Sequence, residues 1–466
     1  MIKKSLTILS VAAVAFVQAQ DISVLKNSIE VYGNSTPSGT AKFNAMAGSM
    51  GALGGDISTM NTNPAGLGVA IASDVSATLN VHNNKNTSNL HGTSFGYSTN
   101  RTDLGQVGGV LAFELQKNSP WKFVNLGFNY TSRSIENYAE TRNGNSNISF
   151  NLDNNETLHF DRQAYDRTGD VSKMNFGIGA NYDNKVYVGA GLNFHQANVR
   201  QLDRAQFTFG SDNHSEFFDK QYTPYYEESS GFSASVGVIG KINNEIRLGA
   251  SIETPTWWNI DRAYNFYGYD SNNDGEFIES RKLATPTKAT LSAAYVPSKS
   301  FAINVDYTLR LSKPKFSDMD SGAKQEMDAF FSDNYKNLSE IRVGAEYRIQ
   351  QFRVRGGYAY ASSPFDQMSM NAFTNSGASA NFGSDRFIVG QRNTLGVGLG
   401  YDFKSFYIDA AYNHISSTYD NPFLRGSESA GTEYYGSTAF LANNTAVVSE
   451  VKNTQNNITF TLGWKF

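Results

Sequence analysis

The chain contains no cysteine. That excludes a disulfide framework, a thiolate nucleophile and a thiolate metal site. Long apolar runs are also missing beyond the N-terminus, where residues 6–17 form the longest. Spanning a bilayer as a helix takes about 20 apolar residues. Charge of one sign is not in excess: 39 Lys and Arg stand against 43 Asp and Glu, a net charge of −4. With the signs interspersed, nothing points to nucleic acid as a partner. The six histidines (His82, His91, His159, His195, His214 and His414) are scattered without metal-ligand spacing, so haem ligation is not supported. No set of nucleophile, base and orienting group stands out. The chain is therefore expected not to be an enzyme and to need no cofactor.

What is present points to the membrane. Mean hydropathy is −0.41, a value that by itself suits a soluble secreted protein. Transmembrane strands, however, put only every second residue into lipid and leave little trace in such an average. Aromatics make up 13% of the chain, with 25 Tyr and 32 Phe, beside 41 Gly. That profile fits aromatic girdles and a tightly packed lumen. Lys3 and Lys4 precede the apolar run, and Val17-Gln18-Ala19 follows it, so residues 1–19 read as a signal peptide cleaved after Ala19.

The alternation is clean. Val186, Val188, Ala190, Leu192 and Phe194 share one face, and Lys185, Tyr187, Gly189, Gly191 and Asn193 the other. Phe301, Ile303, Val305, Tyr307 and Leu309 oppose Asn304, Asp306, Thr308 and Arg310; Ile341, Val343, Ala345 and Tyr347 oppose Arg342, Glu346 and Arg348. Charged residues on the second face are costly in a dry core but not in a wet lumen. Short turns at Asp183-Asn184, Asn243-Asn244, Pro297-Ser298-Lys299, Gln350-Gln351 and Lys404-Ser405 alternate with long polar segments near 135–172, 200–230, 254–287, 312–338, 362–392 and 417–454. This asymmetry belongs to an outer-membrane barrel. The last strand ends at Phe466 itself, which resembles a barrel-assembly signal.

A naive count gives 15 alternating runs, whereas bacterial single-chain barrels hold an even number. Residues 74–97 therefore read as one interrupted first strand, and 98–105 as the first external connection. The expected fold is an all-β transmembrane antiparallel barrel of about 14 strands over 73–466.

Residues 41–67 do not alternate and are dense in Gly and Ala. Small residues let backbone pack closely inside a lumen, and Asn63-Pro64 supplies a restricted turn. Residues 20–72 are thus expected to form an N-terminal extension and plug. The run Ala47-Gly48, Gly54-Gly55-Asp56 and Asn63-Pro64-Ala65-Gly66-Leu67 resembles the hatch of the FadL/OmpP1/TodX family of outer-membrane transporters. The resemblance continues through Leu248-Gly249-Ala250 with Thr254-Pro255, Val305-Asp306-Tyr307, Gly344-Ala345-Glu346-Tyr347, and Gly357-Tyr358-Ala359-Tyr360 with Ser363-Pro364. It implies passive transport of long-chain fatty acids or other hydrophobic small molecules. The ligand would enter an external groove, pass to an internal pocket and leave sideways near a kink in the third strand, here roughly Lys122–Ser134. Asn63, Pro64, Ala65 and Gly66 would be the hatch motif. Residues 20–40 depart from the family's short N-terminus, which enters the pocket.

Two loops carry further candidates. Asp270, Asn272, Asp274 and the Glu276 carbonyl match the first half of a calcium loop, with Gly275 sixth, but Arg281 stands where a bidentate Glu belongs. The site would be weak, and a polar turn is at least as good a reading. Met327, Phe330 and Phe331 stand at helical spacing in an external loop. They suit a ligand-capture groove or, equally, a helix packed on its own barrel rim. Lumen residues Asp306, Arg310, Arg342, Glu346 and Arg348 are expected to hold the hatch by charge pairing. The expected setting is the outer membrane of a Gram-negative bacterium, as a monomer in contact with lipid and lipopolysaccharide. The alternative reading is a non-transport surface protein displaying its loops for adhesion, and a general porin is disfavoured by the plug.

Overall fold

The computed structural model describes residues 22–33, 36, 38–116, 118–152, 154–267, 274–425 and 433–466. The expected signal peptide lies outside them. Fourteen antiparallel strands close into one barrel. They are β1 (Asp74–Leu90), β2 (Thr93–Glu114), β3 (Trp121–Ser134), β4 (Thr157–Tyr182), β5 (Val186–Phe209) and β6 (Tyr225–Lys241). Next come β7 (Ile246–Glu253, resuming as Trp257–Phe266), β8 (Gly275–Ala284, resuming as Lys288–Ser298) and β9 (Phe301–Arg310). The circuit continues through β10 (Ser339–Ile349), β11 (Phe352–Ala361), β12 (Arg392–Asp402), β13 (Phe406–Phe423) and β14 (Val447–Lys465). Each pairs with its neighbour, and β14 pairs with β1 from Lys465↔Asp74 to Glu450↔Asn89. Closure leaves no free sheet edge at the seam.

The alternation read from sequence is the lipid-to-lumen alternation. Val186, Val188, Leu192 and Phe194 point outward, while Tyr187 and Asn193 are buried inside. Among the described residues no helix is long and apolar enough to cross a membrane. The five short turns fall where expected, and Asp183, Asn184, Gln350 and Lys404 take positive φ there.

Two expectations need correction. Residues 74–97 are not one strand: Asp74–Leu90 turns at His91-Gly92 and returns as Thr93–Glu114. Residues 91–97 therefore belong to the following strand, and 98–105 is ladder rather than connection. The total is unchanged. The reason is that β1 climbs beyond the lipid belt, where its outward positions turn polar (Asn83, Lys85, Thr87, Asn89) and the signal fades. The long polar segments are likewise not loops throughout. β4 and β5 run for 26 and 24 residues, and much of 135–172 and 200–230 is ladder standing above the membrane.

β7 and β8 are interrupted at one height by Thr254-Pro255-Thr256 and Thr285-Pro286-Thr287. Proline cannot donate to a ladder. Cross-bonds from Thr256 N to Thr285 Oγ1 and from Thr285 N to Thr256 O, both 3.0 Å, tie the breaks together. The break also exchanges faces. Leu248 and Ile252 point outward below it, whereas Trp258, Ile260 and Arg262 point inward above it. A one-residue slip in a strand has this consequence.

Candidate functional site: lumen plug, chamber and side gap

Residues 38–72 fill the lower lumen. Three short helices shape them: α2 (Ala41–Ala45) and the 3-10 turns Ile57–Asn61 and Pro64–Val69. Each is capped by its own sequence. Thr40 accepts from Phe43 N, Asp56 from Ser58 N at 2.8 Å, and Asn63 from Ala65 N at 3.1 Å. Pro64 follows at the first helical position, where a missing N–H costs nothing.

The Asn63 side chain does three jobs, since its Nδ2 also donates to Gly51 O at 2.8 Å and to Val238 O of the wall at 3.2 Å. Opposite it the wall has glycine. A Cβ on Gly237 would stand 2.0 Å from Asn63 Oδ1, and one on Gly189 2.3 Å from Pro64 O. Gly179 and Gly177 face Leu67, Gly344 and Gly357 face Met46, and Gly398 faces Ala45. The small face of the strands is therefore a socket cut to the plug.

Hydrogen bonds hold the plug there. Asp306 accepts from Met50 N at 3.0 Å and Gly51 N at 3.2 Å, and Asn304 Oδ1 from Ala52 N at 3.2 Å. Asn125 donates to Leu67 O and Ala70 O, Ser251 to Thr62 O, Arg247 to Leu53 O, and Asn413 to Asn44 O. The expected charge pairing between wall and hatch is not what the geometry has. Arg342 pairs with Glu340 at 2.8 Å, Glu346 with Arg355 at 2.6 Å, Arg310 bonds Tyr335, and Arg348 donates to Gln350 O in a turn. Of the five, Asp306 grips the plug through the plug's backbone amides, Arg342 through its own carbonyl, which accepts from Ser49 Oγ at 3.3 Å, and Glu346 also feels the charge of Lys42 on α2. An ion pair inside the wall satisfies each guanidinium locally, whereas the plug offers mostly backbone.

A second body fills the upper lumen. The helix α1 (Ile22–Glu30) buries Val24, Leu25 and Ile29 against Trp258, Ile260 and Phe316 of the wall, together with α3 (Ser321–Asn334). Lys26 lies over the rings of Tyr165 (4.6 Å) and Tyr419 (4.2 Å), Glu30 pairs with Arg167 at 3.0 Å, and Asn27 donates to the Tyr225 hydroxyl at 2.6 Å. Tyr32 donates to Glu227 at 2.8 Å, and burial followed by the Glu227 charge pushes its hydroxyl well above the usual value. The spacing of Val24, Leu25 and Ile29 is a helical signal that the sequence reading passed over.

Met327, Phe330 and Phe331 lie on α3 with 0%, 3% and 1% exposure, packed in that same cluster beside Phe365 and Tyr335. They form no open capture groove; the helix seals its own barrel rim, because burying these rings outweighs leaving them in water. Asp270 and Asn272 of the calcium-like loop lie outside the described residues. Glu276 is exposed on the β7–β8 hairpin opposite Asn265. Among the described residues no group of three His, Asp or Glu is placed to hold a metal.

Between the two bodies lies a chamber of about 140 Å³, lined by Val31, Tyr32, Phe43, Met60, Arg133, Lys173, His195, Glu253, Trp258 and Lys288 among others. A second cavity of about 120 Å³ lies on the other side of Arg133 and Thr36, which line both. It reaches Ser134, Ile135 and Glu136, where the third strand breaks before Asn137–Arg142 continues. At this place the wall itself parts. β2 and β3 are paired only from Gln106↔Thr131 to Glu114↔Phe123, so above Gln106 the β2 edge has no ladder to β3. Side chains lace the parting: Arg101 to Glu136 at 3.3 Å, and Asn84 to Glu136 O at 2.5 Å. A bulge at Thr78/Leu79 sits beside it, where Gly105 leaves room for Asn80.

A closed 14-stranded barrel with an apolar belt, a plugged lumen and a parted wall defines a membrane-spanning β-barrel protein. Solved structures narrow the comparison. A FadL homologue of Pseudomonas aeruginosa superposes with a TM-score of 0.59 at 13% identity, covering 92% of this chain and 99% of that one. The toluene transporter TodX of P. putida gives 0.55 at 13%, over 93% and 99%, and the Ralstonia pickettii toluene transporter TbuX 0.52 at 15%, over 92% and 98%. The barrel fold is theirs. No protein-family model matches the chain, and no characterised protein matches it by sequence.

Proposed function

We propose that this protein carries hydrophobic small molecules passively across the outer membrane of a Gram-negative bacterium. Residues 38–72, with Asn63, Pro64, Ala65 and Gly66 at their centre, act as the hatch. The observation that carries the reading is the combination of an axially blocked lumen with a wall parted between β2 and β3 above Gln106 and Thr131. Cargo that cannot pass along the axis has a side exit into the bilayer, which suits apolar solutes slowed by lipopolysaccharide. Structural neighbours described as FadL-type and toluene transporters support the cargo class. Long-chain fatty acids are the first substrates to test.

The test is uptake of labelled oleate and toluene by a deletion strain, with and without the gene restored. Restored uptake of either is expected; uptake equal in both strains contradicts the proposal. Planar-bilayer conductance is expected to be small, and a large steady current contradicts a sealed channel. Loop display for adhesion has one feature in its favour, the outer aromatic core of Phe150, Phe160, Phe207, Phe218 and Phe423. Cell binding that persists in a hatch-locked variant would support that reading instead.

A further inference from the structure

We infer that the chamber between the hatch and α1 is a binding site for a compact amphipathic anion, of the class of an arene carboxylate, held by Lys173, Lys288 and Trp258. The inference rests on the transport reading and narrows its cargo.

Charge is the first reason. Among the described residues Glu253 is the one carboxylate lining the chamber, and two ammonium groups share it: Lys173 at 3.3 Å and Lys288 at 3.5 Å. Arg133 also lines the chamber. It donates to Val31 O at 3.2 Å, and among the described residues no carboxylate lies within ion-pair distance of it. A partly desolvated excess of positive charge is costly in a confined lumen and is relieved by an anion.

Unmet donors are the second reason. Trp258 is 2% exposed, yet its indole Nε1 has no hydrogen-bond partner among the described residues, and neither has Ser235 Oγ. Both residues line the chamber. Buried donors without partners are rare in native structures and call for a missing acceptor. A carboxylate offers acceptor sites for the two lysines and the indole together. A neutral hydrocarbon offers none.

Size is the third reason. A cavity of about 150 Å³ takes up one benzene ring, and this one measures about 140 Å³. Its apolar walls are Val31, Phe43, Met60 and Val171. A long acyl chain exceeds it and would have to reach past Arg133 and Thr36 into the second cavity. The site owes its existence to the proline breaks: Glu253 and Trp258 both reach the lumen only because β7 exchanges faces between them, and Lys288 follows the matching break in β8.

The test is isothermal titration of the full-length protein in detergent with benzoate, its neutral analogue benzyl alcohol, and oleate. Benzoate is expected to bind at least about tenfold more tightly than benzyl alcohol, the factor that one charge-assisted hydrogen bond supplies. The triple variant Lys173→Gln, Glu253→Gln, Lys288→Gln removes all three charges and leaves none unpaired; it should abolish the preference, whereas Lys288→Arg should keep it. Trp258→Phe deletes the N–H donor and should weaken benzoate more than benzyl alcohol, whose hydroxyl accepts a weaker, uncharged bond, which decides the matter if the triple variant does not fold. Equal or tighter binding of benzyl alcohol, or an undiminished preference in the triple variant and Trp258→Phe, overturns the inference. Oleate or toluene uptake without benzoate binding sinks the site and leaves the transport reading standing. Benzoate binding without uptake of any compound keeps the site and sinks transport.

Discussion

The lower and upper lumen are plugged by different physics. Below, residues 38–72 are small, and they are gripped mostly through their backbone by Asp306, Asn304, Asn125 and Ser251 against a wall of glycines. Above, α1 is gripped through its side chains by Arg167, Tyr165, Tyr225 and Tyr419, and Tyr32 just beyond it by Glu227. A backbone grip tolerates few changes of shape, because every contact sits at van der Waals distance. A side-chain grip is instead set by charge and ring chemistry and can be dismantled one partner at a time. The difference teaches that the lower plug is specified by what the wall leaves out and the upper plug by what the wall puts in.

The largest effect should come from the upper wall. Glu227 is fully buried between Arg262, at 2.8 Å, and Arg281, and both guanidinium groups are also buried. Glu227→Gln would leave the two buried cations only the part-exposed Glu279, 2.7 Å from Arg281 and 3.9 Å from Arg262, a loss of up to about 3–5 kcal/mol readable in thermal unfolding of the purified barrel. If stability is unchanged, the account of the upper grip is wrong. Next, Gly237→Val pushes a side chain into Asn63. Overpacking of this kind costs about 1–3 kcal/mol, and the expected readout is a folded barrel with raised bilayer conductance as the hatch is displaced. A folded variant with unchanged conductance would mean that the glycine socket does not seat the plug.

Asn63→Ala should follow, with a loss of about 1–3 kcal/mol for the unpaired groups it leaves and a smaller rise in conductance than Gly237→Val. A rise larger than that of Gly237→Val would make the motif, not the socket, the main restraint. Ile278 is 79% exposed on the β7–β8 hairpin. Ile278→Ser should change stability by no more than about 0.5 kcal/mol and leave uptake intact; lost uptake would place ligand capture on that hairpin.

The same difference explains what could be read in advance. The barrel was legible because lipid enforces alternation over Val186–Phe194 and its counterparts, and the lumen-filling segment because Gly and Ala without alternation have few other uses. Strand boundaries at 91–97 were not, since above the lipid belt the outward face of β1 carries Asn83, Lys85 and Thr87 and resembles a loop. The chamber was invisible for another reason. Lys173, Glu253, Trp258 and Lys288 come from three strands, and the face exchange at Pro255 reverses the parity that a sequence reading extends across it. The capture groove failed on burial, because helical spacing of Met327, Phe330 and Phe331 cannot tell which surface the apolar face meets.

The central claim is that residues 38–72 must move for cargo to pass. The absence of cysteine makes a direct test available, because any introduced pair is the only one present. Asn44 of the plug and Thr459 of β14 meet at 3.3 Å between Nδ2 and Oγ1, so a short, reducible, thiol-reactive cross-linker can join Asn44→Cys to Thr459→Cys. Uptake of labelled oleate or toluene by cells carrying this double variant should be lost on cross-linking and recovered on reductive cleavage. Equal uptake in the two states would contradict a moving hatch.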